Sequence, residues 1–172
     1  MNIPGIGAVT KDEELDWYYS EPIAIPVLGA VCQVVVEGYD DDPNKEDFHT
    51  AINNFLSAGH TVLKEAEPYI YQYYERCRDY YDPSDDEYVD IKSSNDIWQH
   101  IRLGVEPTFT RRAYGDKGIY VSLECSCDWE QEHGLQIVFK NGWKVNKVGA
   151  YDGHVTNSDA YADDILENVI FK

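Results

Sequence analysis

The clearest pattern in the chain is an alternation of apolar and polar positions that begins at residue 119. Odd positions are apolar and even positions are polar or amphipathic: Ile119, Val121, Leu123, Cys125, Cys127 and Trp129 against Tyr120, Ser122, Glu124, Ser126, Asp128 and Glu130. Successive side chains of a strand point to opposite faces, so this pattern predicts a strand with one buried face. Cys125 and Cys127 are then expected in the core, where free cysteine behaves as a small hydrophobic residue.

Further strands are predicted around this one. After an acidic turn at residues 131–133, Leu135, Ile137 and Phe139 keep the same parity. Asn141-Gly142 is the dipeptide best suited to a tight type I′ hairpin, and Trp143 and Val145 are expected to continue the inner face. A strand over residues 108–114 precedes them, so the C-terminal half is predicted to be an antiparallel meander of about four strands.

The middle of the chain has a helical period instead. Apolar residues recur at steps of three and four from Phe48 to Tyr81, which predicts one buried helical face. Gly59 and Pro68 interrupt the pattern, and we expect a kink or a break near Pro68, giving two helices with a common inner face, because proline removes a backbone hydrogen bond. A shorter helix is predicted over residues 94–101.

Both ends of the chain are predicted to be mostly extended. Residues 17–28 contain two prolines and are typical of an edge or irregular strand. The valine-rich residues 31–37 instead predict a regular strand. Thr156 and Asp159 have the spacing of a capping box for a short helix. Residues 169–171 are interpreted as an edge strand, with a helix end as the alternative.

Together these elements predict an α+β fold, in which an antiparallel meander and N-terminal strands carry helices on one face. The length of 172 residues suits a single domain. Its predicted parts are N-terminal strands in 1–40, a helical part in 44–101, the meander in 105–150 and a C-terminal turn and edge element in 151–172.

The composition narrows the classes of partner. With 32 acidic and 14 basic residues the net charge is −18, which argues against a nucleic-acid binder and favours a basic or cationic protein partner. A hydrophobic content of 43% is enough to form a core. No apolar run approaches membrane-spanning length and no secretory leader is seen, so we expect a cytoplasmic protein with reduced cysteines and no membrane association.

Motifs for catalysis or cofactor binding are missing from the sequence: it contains no nucleophile elbow, phosphate loop or paired-histidine helix. A non-enzymatic role without a cofactor is therefore favoured. The alternative is a metal-binding module or metal-dependent hydrolase using Cys125, Cys127 and His133, with His154 as a further ligand, since thiolate and imidazole are ligands that zinc prefers.

An acidic, tyrosine-rich surface is the favoured binding site. Tyrosine is common at the energetic centres of interfaces, and an acidic rim steers a basic partner. The candidate contact residues are Tyr71, Tyr74, Glu75, Asp79, Tyr81, Asp85, Asp86, Glu87, Glu130, Glu132 and His133. Packing of some of these tyrosines inside the fold or on a second subunit is the alternative.

Several stretches resemble a widespread bacterial family of uncharacterised domains. The resemblance rests above all on residues 124–139, with the motif Glu-Cys-x-Cys-x-Trp-Glu-x-Glu-His-Gly-Leu-Gln, and on residues 152–157. It covers nearly the whole chain and is similar in style to small cytoplasmic proteins encoded beside polymorphic toxins. It implies no activity and no catalytic residues.

The leading hypothesis is therefore a cytoplasmic protein-binding domain, and its favoured specific form is an immunity-type inhibitor of a basic toxin or nuclease. A structural or homo-oligomeric module, in which acidity only maintains solubility, is a further alternative.

Overall fold

A computed structural model describes residues 1–12, 14–86 and 88–172. The helices are α1 (Lys45–Ser57), α2 (Thr61–Arg78) and α3 (Asn157–Tyr161), with 3₁₀ helices at Ser94–His100 and Asp164–Leu166. The strands are β1 (Asn2–Ile3), β2 (Gly7–Asp12), β3 (Trp17–Ser20), β4 (Ile23–Ile25), β5 (Ala30–Cys32), β6 (Val35–Glu37), β7 (Ile101–Arg102), β8 (Thr108–Arg111), β9 (Ile119–Cys127), β10 (Glu130–Lys140) and β11 (Lys144–Gly149).

Nine of the described strands form one sheet, in the order β1-β2-β3-β6-β8-β9-β10-β11 with β7 also paired to β9. Strands β8 to β11 are consecutive antiparallel neighbours, which confirms the predicted meander. The N-terminal strands join the same sheet because β6 pairs with β8 in parallel. Strands β4 and β5 form a separate two-stranded ribbon.

The main core lies between the sheet and the two longer helices. Helix α1 packs near β9 and α2 near β11. Phe55 of α1 places its ring 5.8 Å from the rings of both Phe109 and Phe139, on β8 and β10. The alternation along β9 is confirmed, since Cys125 and Cys127 are 3% and 2% exposed in this core. The fold is α+β, as predicted.

Two helices form, as predicted, but the break between them is not at Pro68. Pro68 lies inside α2, and the chain breaks at residues 58–60, where Ala58 has an extended backbone. Leu63 and Ala66 before the proline and Ile70 after it are buried on one face. We attribute the continuity of the helix to this packing, which offsets the one backbone hydrogen bond that the proline removes.

The strand prediction for residues 31–37 needs correction, because the segment divides into β5 and β6, which belong to different sheets. The predicted acidic turn at 131–133 is also wrong. The chain reverses at Asp128 and Trp129, with Cys127 paired to Glu130, and the register shifts between Glu130 and Leu135. Residues 131–134 therefore lie opposite Ser126 alone and form a four-residue bulge.

Asn141 and Gly142 lie in the β10–β11 turn, as predicted, with φ angles of 53° and 81°, the sign that a type I′ turn needs. The loop is not the predicted tight two-residue one, because Lys140 pairs with Lys144 and leaves three residues between them. Trp143, predicted on the inner face, is instead 56% exposed beside the turn. Trp143 is the third residue of this loop, which places it outside the β10–β11 ladder.

The C-terminal segment contains the predicted cap, because the Thr156 hydroxyl accepts a hydrogen bond from the Asp159 backbone N–H at 3.1 Å. The predicted edge strand at residues 169–171 is wrong, because this stretch has irregular structure and is not part of a sheet. One backbone hydrogen bond links it to β11, from the Val148 N–H to the Ile170 carbonyl. The helix predicted over 94–101 is 3₁₀ in form and ends before Ile101. Among the described residues, no helix has the length and apolar character required to cross a bilayer.

Candidate binding groove on the outer sheet face

A groove of about 860 Å³ lies over strand positions whose side chains point away from the core. We call it the outer groove. Its aromatic residues are Trp17, Tyr19 and Tyr151, and its carboxylates are Glu37, Glu106, Glu124, Glu130 and Glu132. Thr108, Thr110, Ser122, Ser126 and Gln136 add uncharged polar groups.

Strand register explains how these residues meet. Trp17 of β3 is the direct cross-strand partner of Glu37 on β6. Because Val36 pairs with Phe109 in parallel register, the next residues, Glu37 and Thr110, are also neighbours. A row of side chains thus crosses three strands of the groove floor.

A second part of the floor lies on the meander. Thr108 pairs with Ser122, and Glu124 pairs with Gln136. Ser122, Glu124 and Ser126, three polar positions of the β9 alternation, therefore line the groove, while the apolar positions between them lie in the core.

The electrostatic character of the groove is negative. Five carboxylates line it, and among its described lining residues Arg102 is the one arginine or lysine. Arg102 is already paired, since its guanidinium donates to Asp128 at 2.8 Å. Its charge is therefore partly neutralised by a carboxylate at the edge of the groove.

Glu37 is the half-buried acid of the groove floor. Burial raises the pKa of Glu37, and the Thr110 hydroxyl opposes part of that rise. Other inward-lying acids behave differently: the Arg111 guanidinium helps hold the pKa of Asp42 below its usual range despite burial. The contrast indicates that Glu37 lacks a matching cation of its own within the described chain.

The two tyrosines of the groove lie near its carboxylates, which affect their pKa values. Burial raises the pKa of Tyr19, and the charges of Asp12, Glu106 and Glu37 add to the rise. Burial likewise raises the pKa of Tyr151, with Glu124 and Glu37 contributing. Both phenols therefore stay protonated at neutral pH, so each offers a neutral ring and a hydroxyl to a ligand.

Buried polar contacts hold the Tyr151 side of the groove. Lys147, nearly inaccessible on β11, donates to the Gln136 amide oxygen at 3.1 Å and to the His154 carbonyl at 3.0 Å, and also pairs with Asp152. Gln136 in turn donates to the Ser122 hydroxyl at 2.9 Å. This chain of bonds ties the segment after β11 to the groove floor.

Three of the sequence-predicted binding residues lie at the groove. The bulge brings Glu130, Glu132 and His133 to its rim, where the backbone N–H groups of Glu132 and His133 donate to the Glu130 carboxylate at 3.0 and 2.8 Å. Their potential ligand atoms lie within 4.8 Å of one another, a spacing that could hold a metal ion. The Glu130 carboxylate is already engaged by these donors.

The other predicted residues lie outside the groove lining. Tyr74 is fully buried: its hydroxyl donates to the Val89 carbonyl at 2.9 Å and accepts from the Ile91 N–H at 2.8 Å. The expected exposure is therefore wrong for Tyr74, which offers no surface to a partner. Tyr71 is half-buried against it, with ring centroids 5.5 Å apart.

The remaining members of that set lie at the end of α2 and just beyond it. Glu75 is half-buried, whereas Asp79, Tyr81, Asp85 and Asp86 are exposed. We call these four exposed residues the α2-end patch. Glu87, also predicted as a contact residue, lies outside the described residues.

The cysteine-based metal alternative finds little support in the geometry. Burial raises the pKa of Cys125 to about 11 and that of Cys127 to about 12, so both are neutral thiols at pH 7. The Cys127 thiol donates to the Glu130 carbonyl at 3.3 Å. His133 and His154 are largely exposed, each beside a carboxylate, and the described metal-capable cluster contains neither cysteine.

Sequence reasoning missed Trp17, Tyr19, Glu37 and Tyr151. They belong to three separate segments that only the pairing of β6 with β8 and the turn after β11 bring together. The available signal was parity: Trp17 and Tyr19 flank the buried Tyr18, so they had to lie on the other face.

Fold and groove together define an α+β domain whose sheet has one helix-covered face and one open, acidic and aromatic face. The chain belongs to the family DUF6985, described as a domain of unknown function, which matches residues 5–155. No curated protein and no solved structure matches the chain.

Proposed function

We propose that this chain is a non-enzymatic binding domain that holds a basic protein in the outer groove. The observation that carries the proposal is the groove itself, where five carboxylates and three aromatic rings surround one arginine that is already paired. Carboxylates attract lysine and arginine side chains, and aromatic faces add cation–π attraction.

The charge of the whole chain supports the same partner class. A net charge of −18 produces a field that attracts a basic protein before contact and repels nucleic acid. The groove then supplies what the long-range field lacks, namely fixed acceptors and rings on paired strands.

An inhibitor of the immunity type is the specific form of this function that we favour. A basic toxin or nuclease uses its cationic surface to hold phosphate, and an acidic groove competes for the same surface. The cytoplasm is the proposed location, because the four cysteines are free thiols, as expected in a reducing compartment.

Calorimetric titration tests the proposal with defined probes: arginine- and lysine-rich peptides, uncharged peptides of the same length, and the purified products of adjacent genes. We expect the basic probes to bind and the uncharged ones not to. Raising the salt concentration from about 50 to about 500 mM should weaken binding strongly, because exposed charges are then screened. Binding that is equal at both salt concentrations would contradict an electrostatic partner.

Two double variants with the same net charge locate the surface. Glu37→Gln with Glu124→Gln neutralises the groove, whereas Asp79→Asn with Asp86→Asn neutralises the α2-end patch. We expect the first to weaken binding about tenfold or more and the second by less than about twofold. The reverse order would assign binding to the α2-end patch, and equal effects would leave only non-specific attraction.

A further inference from the structure

The row of side chains on β3, β6 and β8 points to a more specific anchor. Resting on the proposed function, we propose that the partner inserts an arginine side chain whose guanidinium binds the Glu37 carboxylate and stacks on the Trp17 indole. The lysine side chains of the same partner then make only general contacts with the groove.

Register brings the two groups close enough for one guanidinium. Trp17 and Glu37 are direct partners on antiparallel strands, so their Cβ atoms lie about 5 Å apart on the same face. Both side chains are half-buried and both line the outer groove. A cation bound to the carboxylate therefore lies beside the indole, the aromatic ring that binds cations best.

Glu37 differs from three other acids that this fold draws inward and pairs with a cation. Asp40 pairs with Lys11 at 3.1 Å, Asp42 with Arg111 and Asp159 with Arg112 at 2.7 Å. No such ion pair to Glu37 occurs among residues 1–12, 14–86 and 88–172, and burial disfavours its charged form. The free chain therefore carries a desolvation cost at Glu37, and a cation from a partner would offset that cost on binding.

The fold contains an internal precedent for the arrangement. Arg111 donates to Asp42 and to Asp47, each at 2.9 Å, while its guanidinium carbon lies 5.7 Å from the centre of the Phe48 ring. One guanidinium thus serves carboxylates and an aromatic face together. At the groove, Glu37 and Trp17 provide the same two kinds of group side by side.

Arginine fits this position better than lysine for three reasons. Its guanidinium is planar and stacks on a ring, it presents a fork of N–H donors to a carboxylate, and it is more weakly hydrated than an ammonium group. Thr110, beside Glu37, adds a hydroxyl acceptor for a further donor of the fork. Weak hydration matters here because the cation must enter a half-buried row.

Nitrogen-15 NMR titration of the full chain provides the test, with N-acetylarginine methylamide and N-acetyl-lysine methylamide as probes. The Trp17 indole N–H reports contact, and the exposed indole of Trp143 serves as an internal control. We expect the arginine probe to shift the Trp17 signal with a millimolar Kd, about 4 kcal/mol, and the lysine probe to bind at least about fivefold more weakly.

Matched variants separate contact from general charge. Glu37→Gln keeps the shape of the side chain and should weaken the arginine probe about tenfold, the effect of losing one charge-assisted hydrogen bond. Glu65→Gln removes the same charge from the exposed face of α2 and should change the Kd by less than about twofold. Well-dispersed spectra of both variants show that each is folded.

Three results would overturn the anchor: equal affinity for the two probes, equal effects of the two variants, or no shift at Trp17 up to about 50 mM probe, well above a millimolar Kd. If basic peptides still bind the groove in calorimetry, the binding function stands and only the guanidinium anchor fails. If no basic probe binds in calorimetry, the binding function itself fails.

Discussion

Replacing Arg112 by methionine is expected to destabilise the fold, because Arg112 connects the end of the β8 region to the C-terminal residues 158–167. The Arg112 side chain, immediately after β8, is 3% exposed. It donates to Asp159 at 2.7 and 2.8 Å, to Glu167 at 2.9 Å and to the Ser158 hydroxyl at 3.0 Å. Methionine keeps the apolar stem and removes every donor.

The size of the effect follows from what the variant leaves behind. Removing one partner of a buried ion pair costs about 3–5 kcal/mol, because the remaining charge is desolvated and unpaired. The Asp159 and Glu167 side chains keep 18% and 37% of their surface, so water solvates them in part. We therefore expect a loss of about 3 kcal/mol, the lower end of that range.

Urea unfolding at pH 7, followed by tryptophan fluorescence, measures this loss. Arg102→Met is the matched control, because Arg102 also pairs with an aspartate but is 65% exposed, and it should cost less than about 1 kcal/mol. A cost for Arg112→Met no greater than that of the control would refute the reasoning.

The pH dependence gives an independent check on the same ion pairs. Arg112 holds the pKa values of Asp159 and Glu167 below their usual range, and such acids stabilise the fold above their unfolded pKa values, near 4. That stabilisation is lost as the pH falls through the lowered folded values. The difference between wild type and Arg112→Met should therefore narrow near pH 3, and a constant difference would show that lost packing, not charge, is responsible.

The remaining predictions concern the core thiols and the hairpin. At pH 7.5, Ellman's reagent should leave Cys125 and Cys127 unmodified in the folded chain and modify them in about 6 M guanidinium, because burial keeps both protonated. Stability should fall as the pH rises from about 9 toward 11, since the unfolded thiols lose protons that the folded ones retain, and chemical unfolding across that range would measure the fall. Gly142→Ala should destabilise by about 2 kcal/mol or more in urea unfolding, because φ is +81° and the new Cβ would lie 2.1 Å from the Ala51 carbonyl oxygen, whereas Gly149→Ala, with open space at its Cβ, should be nearly neutral.

Local patterns predicted the meander well because β9 and β10 carry their own evidence. Alternation fixes which side chains face the helices, and the Asn141-Gly142 dipeptide fixes where the hairpin turns. The capping pair Thr156 and Asp159 is equally local. Each of these features is confirmed, since it depends on residues only a few positions apart.

Errors arose where packing decides between local options. Pro68 is a strong helix breaker in isolation, yet the buried face of α2 continues across it. The Tyr74 ring could face solvent or core according to helical periodicity, and hydrogen bonds to residues 89 and 91 resolve this in favour of the core. The bulge at 131–134 shifted the expected turn because bulges leave no reliable mark in the alternation.

The groove was hidden from sequence reasoning because it depends on the pairing of β6 with β8, which joins strands about 70 residues apart. From the sequence alone, without this parallel pair, Glu37 is simply an acidic residue at the end of a predicted strand. With it, Glu37 lies between Trp17 and Thr110 and is connected through the sheet to Glu124.

The same alternation that builds the core also explains why the outer face can serve as a binding surface. Every apolar residue that β9 turns toward the helices, such as Leu123, obliges its neighbours Ser122 and Glu124 to face the other way. Around Tyr120 of β9 and Val138 of β10 that face is covered by Val155, which packs against both. Over β3, β6 and β8 the groove stays open, and it is there that the sheet exposes the half-buried Glu37. A groove built on paired strands holds its groups with little freedom, so a partner's cation meets acceptors whose ordering entropy was already lost when the chain folded.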